Sequence, residues 1–184
     1  MQIDAETGLL SEASWCESPN QDARPDVHDI DLVVIHGISL PPGEYGGPAI
    51  EALFTNCLDP HTHPYFATVA HLRLSAHLLI RRDGSLVQFV PFHCRAWHAG
   101  ESCYAQRVNC NDFSIGIELE GVDDCPYADI QYIALARVVG ALLNTYPRLD
   151  AQRIVGHCDI APQRKTDPGP AFDWCKLRTL LECQ

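Results

Sequence analysis

Two histidines stand at the ends of strongly apolar segments and could bind a metal ion. His36 closes the run LVVIH at residues 32–36, and His157 closes the run RIVGH at residues 153–157. A buried β-strand can present such an imidazole at the edge of a rigid sheet. A histidine at a strand end often has only a structural hydrogen-bonding role, so the pattern by itself leaves both interpretations open.

A carboxylate beside the two histidines would complete a three-ligand zinc site with an open fourth position. Two aspartates, Asp159 and Asp167, follow the second histidine. If the strand continues past His157, its period of two places Asp159 on the same face and Cys158 on the opposite one, which disfavours Cys158 as a ligand. The residues alone leave Asp159 and Asp167 as rival ligands.

Residues 114–120, with the sequence SIGIELE, predict a strand with one acidic face. Because side chains alternate along a strand, Glu118 and Glu120 lie on the same face. A carboxylate near a metal ion could act as a general base. The segment AWHAG at residues 96–100 places an aromatic ring and an imidazole among small residues, which suits either a groove wall or ordinary packing.

Hydrophobic periodicity predicts a mixed sheet covered by helices. Residues 75–90 form the clearest hairpin, with Asp83 and Gly84 at its turn. Apolar residues at helical spacing predict a long helix over residues 129–146, with Asp129 as its N-cap. A second helix is predicted over residues 174–183 by the same spacing. The expected fold class is α/β, or α+β, with a central mixed β-sheet flanked by helices.

The chain is expected to form a single domain with an additional N-terminal segment. A length of 184 residues lies within the usual range of one domain. Prolines and polar residues interrupt the first part of the sequence, so residues 1–31 are predicted to be an irregular arm packed on the domain. Residues 32–184 would form the domain itself.

Composition argues against several classes of partner. A formal net charge of -11 repels nucleic acids and anionic membrane surfaces. The sequence shows neither a secretory signal nor an apolar stretch of about 20 residues. Nine cysteines, an odd number without a C-x-x-C pair, suit reduced thiols. We therefore expect a cytoplasmic protein that binds neither nucleic acid nor membrane.

Several longer motifs together resemble one known family, the zinc-dependent N-acetylmuramoyl-L-alanine amidases related to phage T7 lysozyme and the peptidoglycan recognition proteins. The resemblance is strongest to the cytoplasmic members that act on 1,6-anhydro-muropeptides, and it covers about residues 32–174. Its two long blocks make it far more specific than a short motif. The matching stretches are VIHGISLPPG (34–43), SAH (75–77), RRDG (81–84), AWHAG (96–100), NDFSIGIELEG (111–121), GHCDIAP (156–162) and KTDPGP (165–170).

The resemblance implies a peptidoglycan-recognition or T7-lysozyme-like amidase fold. It implies hydrolysis of the amide bond between the lactyl group of (1,6-anhydro-)N-acetylmuramic acid and L-alanine, with zinc held by His36, His157 and Asp167. Glu118 would be the catalytic carboxylate, and Lys165 would lie beside the reacting carbonyl. The implied protein is a monomer whose partner is an anhydro-muropeptide, with a role in peptidoglycan recycling and β-lactamase induction.

One residue departs from the family pattern, and one rival function remains. Gly37 stands where members usually carry asparagine after the first zinc histidine, which puts substrate affinity rather than catalysis in doubt. The rival is a muropeptide-binding module without catalysis, since some peptidoglycan recognition proteins keep the fold and lose zinc. The complete ligand set and the glutamate favour the enzyme, because function depends on the chemistry of the site rather than on the fold.

Basic and aromatic side chains are the predicted substrate contacts. Arg73 and Arg107 suit the carboxylates of an anionic stem peptide. Trp97 offers a flat apolar face for a sugar ring. Asn111 is expected to orient a loop of the site. The alternative is that both arginines are solvated charges and that Trp97 belongs to the core.

Overall fold

The computed structural model describes residues 1–183 as a mixed sheet with helices on both of its faces. Within these residues the strands are β1 (Ser14–Trp15), β2 (Gln21–Ala23), β3 (Leu32–Ile38), β4 (Leu78–Ile80), β5 (Leu86–Gln88), β6 (Cys94–Ala96), β7 (Cys103–Tyr104), β8 (Arg107–Val108), β9 (Ser114–Glu120) and β10 (Ile154–Gly156). The helices are α1 (Ala49–Phe54), α2 (Phe66–Val69), α3 (Asp129–Thr145), α4 (His157–Ile160) and α5 (Trp174–Glu182), with 3-10 turns at Cys110–Asp112 and Ala151–Arg153. Among the helices of residues 1–183, none has the length and apolar character needed to cross a membrane.

The main sheet has six strands in the order β1-β5-β4-β9-β3-β10. The hairpin strands β4 and β5 pair antiparallel, whereas the other neighbours pair in parallel, so the predicted mixed sheet is confirmed. The central pair, β3 and β9, is in register from Leu32 opposite Ser114 to Ile38 opposite Glu120. This register places His36 directly beside Glu118.

Alternation along the two central strands separates a core face from a site face. An apolar core fills the space between the sheet and the helices α3 and α5, and its β3 and β9 members are Val33, Ile35, Ile115, Ile117 and Leu119. The side chains between them, which include His36 and Glu118, point to the other face of the sheet. A second apolar cluster around Phe54 of α1 covers part of that face. His36 and Glu118, which were predicted to take part in the chemistry, therefore lie on the face of the sheet away from α3.

The two predicted C-terminal helices are present, with one different cap. The long helix begins at Asp129 and has Ala128 as its N-cap, so the prediction of Asp129 as the N-cap was wrong. The side chain of Gln131 accepts a hydrogen bond from the Ala128 N–H (3.0 Å). Asp129 lies in the first turn instead, where a negative charge interacts favourably with the helix dipole. The final helix starts after Asp173, whose carboxylate accepts a hydrogen bond from the Lys176 N–H (2.9 Å).

Residues 1–31 contain more regular structure than the predicted irregular arm. β1 adds an edge strand to the main sheet beside β5, and β2 pairs with β6. Leu10 and Ile30 are buried in the core that α3 covers. The first 31 residues thus supply strands and core side chains, while a domain boundary at residue 31 stays a prediction.

Arg24 is a buried polar residue of this segment with several hydrogen-bond partners. Its side chain is 5% exposed, and burial lowers its pKa to about 10. The guanidinium donates hydrogen bonds to the carbonyl oxygens of Asn111 (3.0 Å), Phe92 (3.3 Å) and Ser114 (2.8 Å). It also contacts Nε2 of His77 at 3.0 Å. Arg24 therefore ties the N-terminal segment to the start of β9.

Replacing Arg24 by methionine is expected to lower the free energy of unfolding by about 3 kcal/mol, because several buried carbonyl groups would lose their donor. Urea unfolding followed by circular dichroism measures this change. Arg148→Met is the control, since the Arg148 side chain is 55% exposed and pairs with Asp29 at the surface, so its loss should remain under about 1 kcal/mol. Equal losses for the two variants would refute the structural role of Arg24.

Candidate metal centre and active-site cleft

Two imidazoles and one carboxylate converge near the carboxyl ends of β3 and β10. β10 pairs in parallel with β3, with Gly156 opposite Ile35, so the next residues, His157 and His36, are also neighbours. The Nδ1 atoms of the two histidines lie 2.9 Å apart. The Oδ2 atom of Asp167 lies 3.3 Å from Nδ1 of His36 and 3.1 Å from Nδ1 of His157. These three residues form a candidate metal centre.

His157 lies at the start of α4 rather than at the end of a strand. β10 ends at Gly156, whose N–H donates a hydrogen bond to the carboxylate of Asp159 (2.7 Å). Asp159 is exposed and caps the start of α4, so the expectation that it shares a strand face with His157 was wrong. The loop after α4 brings Asp167 back to the histidines, where its carbonyl oxygen accepts a hydrogen bond from the Cys158 N–H (3.0 Å).

The donor set of this centre fits a zinc ion. Two imidazole nitrogens and a carboxylate oxygen are ligands that zinc accepts. Tetrahedral ligands at about 2.0–2.1 Å from zinc lie roughly 3.3 Å from one another. The three donor atoms all lie within 4.8 Å of one another, and the shortest separations between them are close to this value. The arrangement could therefore hold a metal ion without a large rearrangement.

The protonation of His36 and Asp167 also suits metal binding. Burial lowers the pKa of His36 to about 4, so its imidazole is neutral at pH 7. Burial opposes ionisation of Asp167, but the facing imidazoles of His157 and His36 outweigh it and hold the pKa of that carboxyl well below its usual range. Neutral imidazoles and an ionised carboxylate are the forms that bind metals.

Glu118 stands beside the metal centre as a buried carboxylate. It lies opposite His36 in the β3–β9 register and is 8% exposed. Its Oε2 atom is buried and has no hydrogen-bond partner within the described residues. Burial, with the nearby negative charge of Asp167, raises the pKa of Glu118 well above its usual range, while Lys165 acts in the opposite direction. A carboxylate with a raised pKa is suited to take up a proton and release it again.

These residues line one cleft of about 210 Å³. Its lining includes the three candidate ligands, Glu118 and Lys165, an apolar wall of Leu53, Val69, Leu72 and Leu74, and the residues Tyr65 and His98. Lys165 reaches the cleft from the loop after α4, where its backbone N–H donates to the Ala161 carbonyl (2.9 Å). The cleft thus places one carboxylate and one ammonium beside a candidate metal.

Most of the chain matches a family model described as N-acetylmuramoyl-L-alanine amidase, which aligns with residues 26–170. The chain belongs to the N-acetylmuramoyl-L-alanine amidase family. A relative from Citrobacter freundii, the 1,6-anhydro-N-acetylmuramyl-L-alanine amidase AmpD, is 60% identical to this amidase over 174 residues. The match covers 95% of this chain and 92% of the relative. The predicted class of enzyme is confirmed.

Two solved structures resemble this amidase. A crystal structure of a selenomethionine AmpD derivative superimposes with a TM-score of 0.95 at 59% identity, covering 98% of this chain and 99% of that chain. A complex of AmiD from Escherichia coli with the substrate anhydro-N-acetylmuramic acid-L-Ala-D-γ-Glu-L-Lys gives a TM-score of 0.61 at 28% identity. That match covers 86% of this chain and 58% of the other. The predicted amidase fold is confirmed.

The predicted substrate residues of the amidase lie at different distances from the cleft. Arg73 is exposed next to the wall residues Leu72 and Leu74, and its guanidinium donates to the Leu72 carbonyl (3.2 Å). Trp97 is partly buried, and its backbone N–H donates to the hydroxyl of Ser75, which lines the cleft (3.0 Å). Substrate contacts by both residues stay predictions.

Asn111 and Arg107 lie away from the cleft lining. The Oδ1 atom of Asn111 accepts hydrogen bonds from the backbone N–H groups of His98 (3.1 Å) and Ala99 (2.8 Å), an arrangement in line with the expected orienting role. Arg107 instead pairs with Asp29 and with Asp31 (2.9 Å). A substrate contact by Arg107 would require the guanidinium to leave these aspartates, and it stays a prediction.

The structure explains why a glycine occupies position 37 of this amidase. A Cβ atom at Gly37 would lie 2.3 Å from the hydroxyl oxygen of Tyr127, and one at Gly121 would lie 2.3 Å from its ring. The ring of Tyr127 therefore fills a slot between two glycines. Its hydroxyl donates a hydrogen bond to the carbonyl oxygen of Pro168 (3.0 Å), which is adjacent to Asp167. Tyr127 occupies the space that a side chain at position 37 would need.

Two cleft residues were missed by sequence reasoning. Tyr65 follows a proline in a polar loop, and nothing in that local pattern indicates that its ring reaches the cleft. His98 belongs to the segment predicted as either groove wall or packing, but its contact with His36 was not foreseen. The signal for His98 was the imidazole among small residues, because small neighbours allow close approach.

Proposed function

We propose that this amidase uses a zinc ion held by His36, His157 and Asp167 to hydrolyse the amide bond between the lactyl group of 1,6-anhydro-N-acetylmuramic acid and L-alanine in muropeptides. The observation that carries the proposal is the convergence of three metal donors with a buried, unpartnered Glu118 carboxylate in one cleft. The substrate class is supported by the name of the 60% identical relative. The complete donor set favours catalysis over a module that only binds muropeptides.

Glu118 and Lys165 would have different roles in the hydrolysis of the amide. When bound, zinc would supply a Lewis acid and lower the pKa of a coordinated water to about 7. Glu118 would accept the proton of the attacking water and then deliver it to the nitrogen of the leaving L-alanine. Lys165, on the same cleft, would stabilise the negative charge that develops on the carbonyl oxygen.

A chelation experiment tests this function. The amidase is incubated with an anhydro-muropeptide before and after removal of metal, and the products are identified by mass spectrometry. We expect a free peptide with an L-alanine N-terminus and the anhydro sugar, loss of both products after chelation, and recovery with added zinc. Cleavage at another bond, or unchanged cleavage without metal, would refute the proposal. A muropeptide with a reducing sugar end, used in parallel, tests whether the anhydro form is required.

Arg73→Ala is expected to raise KM about tenfold with kcat changed less than about twofold. The reason is that an arginine on the rim would bind the stem-peptide carboxylate equally in the ground and transition states. Steady-state kinetics with the anhydro-muropeptide measures both constants. Arg178→Ala is the matched control, because Arg178 is exposed on α5, which packs against α3 on the other face of the sheet. An unchanged KM for Arg73→Ala would show that the stem peptide does not bind at Arg73 but elsewhere around the cleft.

We also propose that the amidase acts in the cytoplasm on recycled muropeptides. All nine cysteines are unpaired in the described structure, which fits a compartment that keeps thiols reduced. The expected monomeric state stays a prediction.

A further inference from the structure

A chain of hydrogen bonds runs from the candidate metal centre into the protein through a third imidazole. Nε2 of His36 lies 2.9 Å from Nδ1 of His98. Nε2 of His98 lies 3.1 Å from the hydroxyl oxygen of Ser114. That hydroxyl donates in turn to the carbonyl oxygen of Cys110 at 2.6 Å. This series of hydrogen bonds therefore ends at a carbonyl group, which can only accept a hydrogen bond.

The terminal carbonyl fixes the direction of every bond in the chain. The Ser114 hydroxyl donates its only proton in the hydrogen bond to the Cys110 carbonyl oxygen. Its oxygen must therefore accept the hydrogen bond from the Nε2–H group of His98. A neutral imidazole that donates through Nε2 accepts through Nδ1. Nδ1 of His98 must then accept from Nε2–H of His36. This leaves Nδ1 of His36 without a proton, and Nδ1 is the atom that faces His157 and Asp167.

We propose that His98 is a positioning residue that holds His36 in the tautomer whose Nδ1 lone pair points at the metal. The inference rests on the zinc role proposed above and extends it to a residue outside the ligand set. Metal-binding histidines generally donate their second ring N–H to a partner that orients the ring and raises its basicity. His98 is that partner for His36, as the Ala99 carbonyl is for His157, whose Nε2 lies 3.2 Å from it.

The surroundings of His98 hold its ring in place for this role. A Cβ atom at Gly116 would lie 2.4 Å from the ring of His98, so the glycine in β9 leaves the space that the imidazole fills. The backbone N–H of His98 is fixed by Asn111 (3.1 Å). A ring held on both sides loses little entropy when it accepts the bond from His36.

The first test measures tautomers in the full-length, zinc-free protein by ¹⁵N NMR of the histidine rings. We expect protons on Nε2 of both His36 and His98 in the wild-type protein. Ser114→Ala removes the hydroxyl that sets the direction, so the Nδ1-protonated form of His36 should become populated. A wild-type His36 protonated on Nδ1, or a tautomer that does not respond to Ser114→Ala, would overturn the proposal.

The second test measures zinc affinity by competition with a chelator. His98→Leu should weaken zinc binding by roughly 10–100-fold, the usual effect of losing such a partner. His98→Asn should recover most of the affinity, because its amide oxygen can accept from His36 near the position of the lost Nδ1. A purely structural role would predict no such recovery. Wild-type affinity in His98→Leu, or no difference between the two variants, would refute the role.

Two controls separate this inference from the proposed function. His61→Leu removes an exposed imidazole from a loop and should leave zinc affinity unchanged. The tautomer measurement needs neither metal nor substrate, so it gives an answer even if the protein hydrolyses a different amide. Loss of zinc specificity or of muropeptide cleavage with intact tautomers would contradict the proposed function and leave the role of His98 standing.

Discussion

Replacing Asp167 by alanine is expected to remove the bound zinc and to lower kcat/KM for an anhydro-muropeptide by about 10³-fold or more. Asp167 supplies the one carboxylate oxygen of the donor set, and its Oδ2 atom lies within 3.3 Å of both histidine nitrogens. The loss of a direct zinc ligand should lower metal affinity and activity by more than the 10–100-fold that is typical when a hydrogen-bond partner of a ligand is lost. Elemental analysis of the purified variant, together with kinetics, measures both effects.

Asp159→Ala is the matched control for this prediction. Asp159 lies eight residues earlier and was the rival ligand, but it is exposed and its carboxylate accepts a hydrogen bond from the Gly156 N–H (2.7 Å). Its loss should lower stability by about 1 kcal/mol, as for other helix caps, and leave the zinc content unchanged. Full zinc in Asp167→Ala with loss in Asp159→Ala would reverse the ligand assignment.

Replacing Glu118 by glutamine is expected to retain zinc and to lower kcat by roughly 10²–10⁴-fold, as for the loss of a positioned general base. The amide keeps the size of the side chain and removes its basicity. Because Glu118 is not one of the three donors, zinc content should equal that of the wild-type protein. Kinetics at saturating substrate and metal analysis on the same sample separate the two effects.

Glu120→Gln is the control on the same strand face. The Glu120 carboxylate accepts hydrogen bonds from the backbone N–H groups of Gly46 (2.6 Å) and Arg82 (3.1 Å) and pairs with Arg81 (3.3 Å). Its replacement should lower stability, since an amide cannot satisfy all of these donors, while kcat remains near the wild-type value. A wild-type rate in Glu118→Gln with a large loss in Glu120→Gln would transfer the role to Glu120.

His36 and the acidic strand could be found from the sequence because strand periodicity places them. His36 and Glu118 both follow from alternation along β3 and β9, and the observed register makes them neighbours. The choice between Asp159 and Asp167 could not be made from periodicity, since it depends on where β10 ends. Gly156 ends that strand and α4 begins immediately, and only the resemblance to the amidase family favoured Asp167.

The substrate residues were the least predictable part of the site. Charge type suggested Arg73 and Arg107 equally, but two aspartates from the N-terminal segment pair with Arg107 in the folded chain. Such long-range pairing leaves no local signal in a sequence. The same holds for Tyr65, which reaches the cleft from a loop, and for His98, whose partners lie on β3 and β9.

The slot that holds Tyr127 couples the side-chain sizes that positions 37, 121 and 127 can accept. A larger residue at position 37 alone would collide with the tyrosine hydroxyl, and a smaller residue at position 127 alone would leave a void and free the Pro168 carbonyl. An asparagine at position 37 therefore requires the tyrosine hydroxyl to move away from that position. Mutational libraries that alter one of these sites at a time would miss double variants in which a larger residue at position 37 is accommodated by a smaller one at position 127.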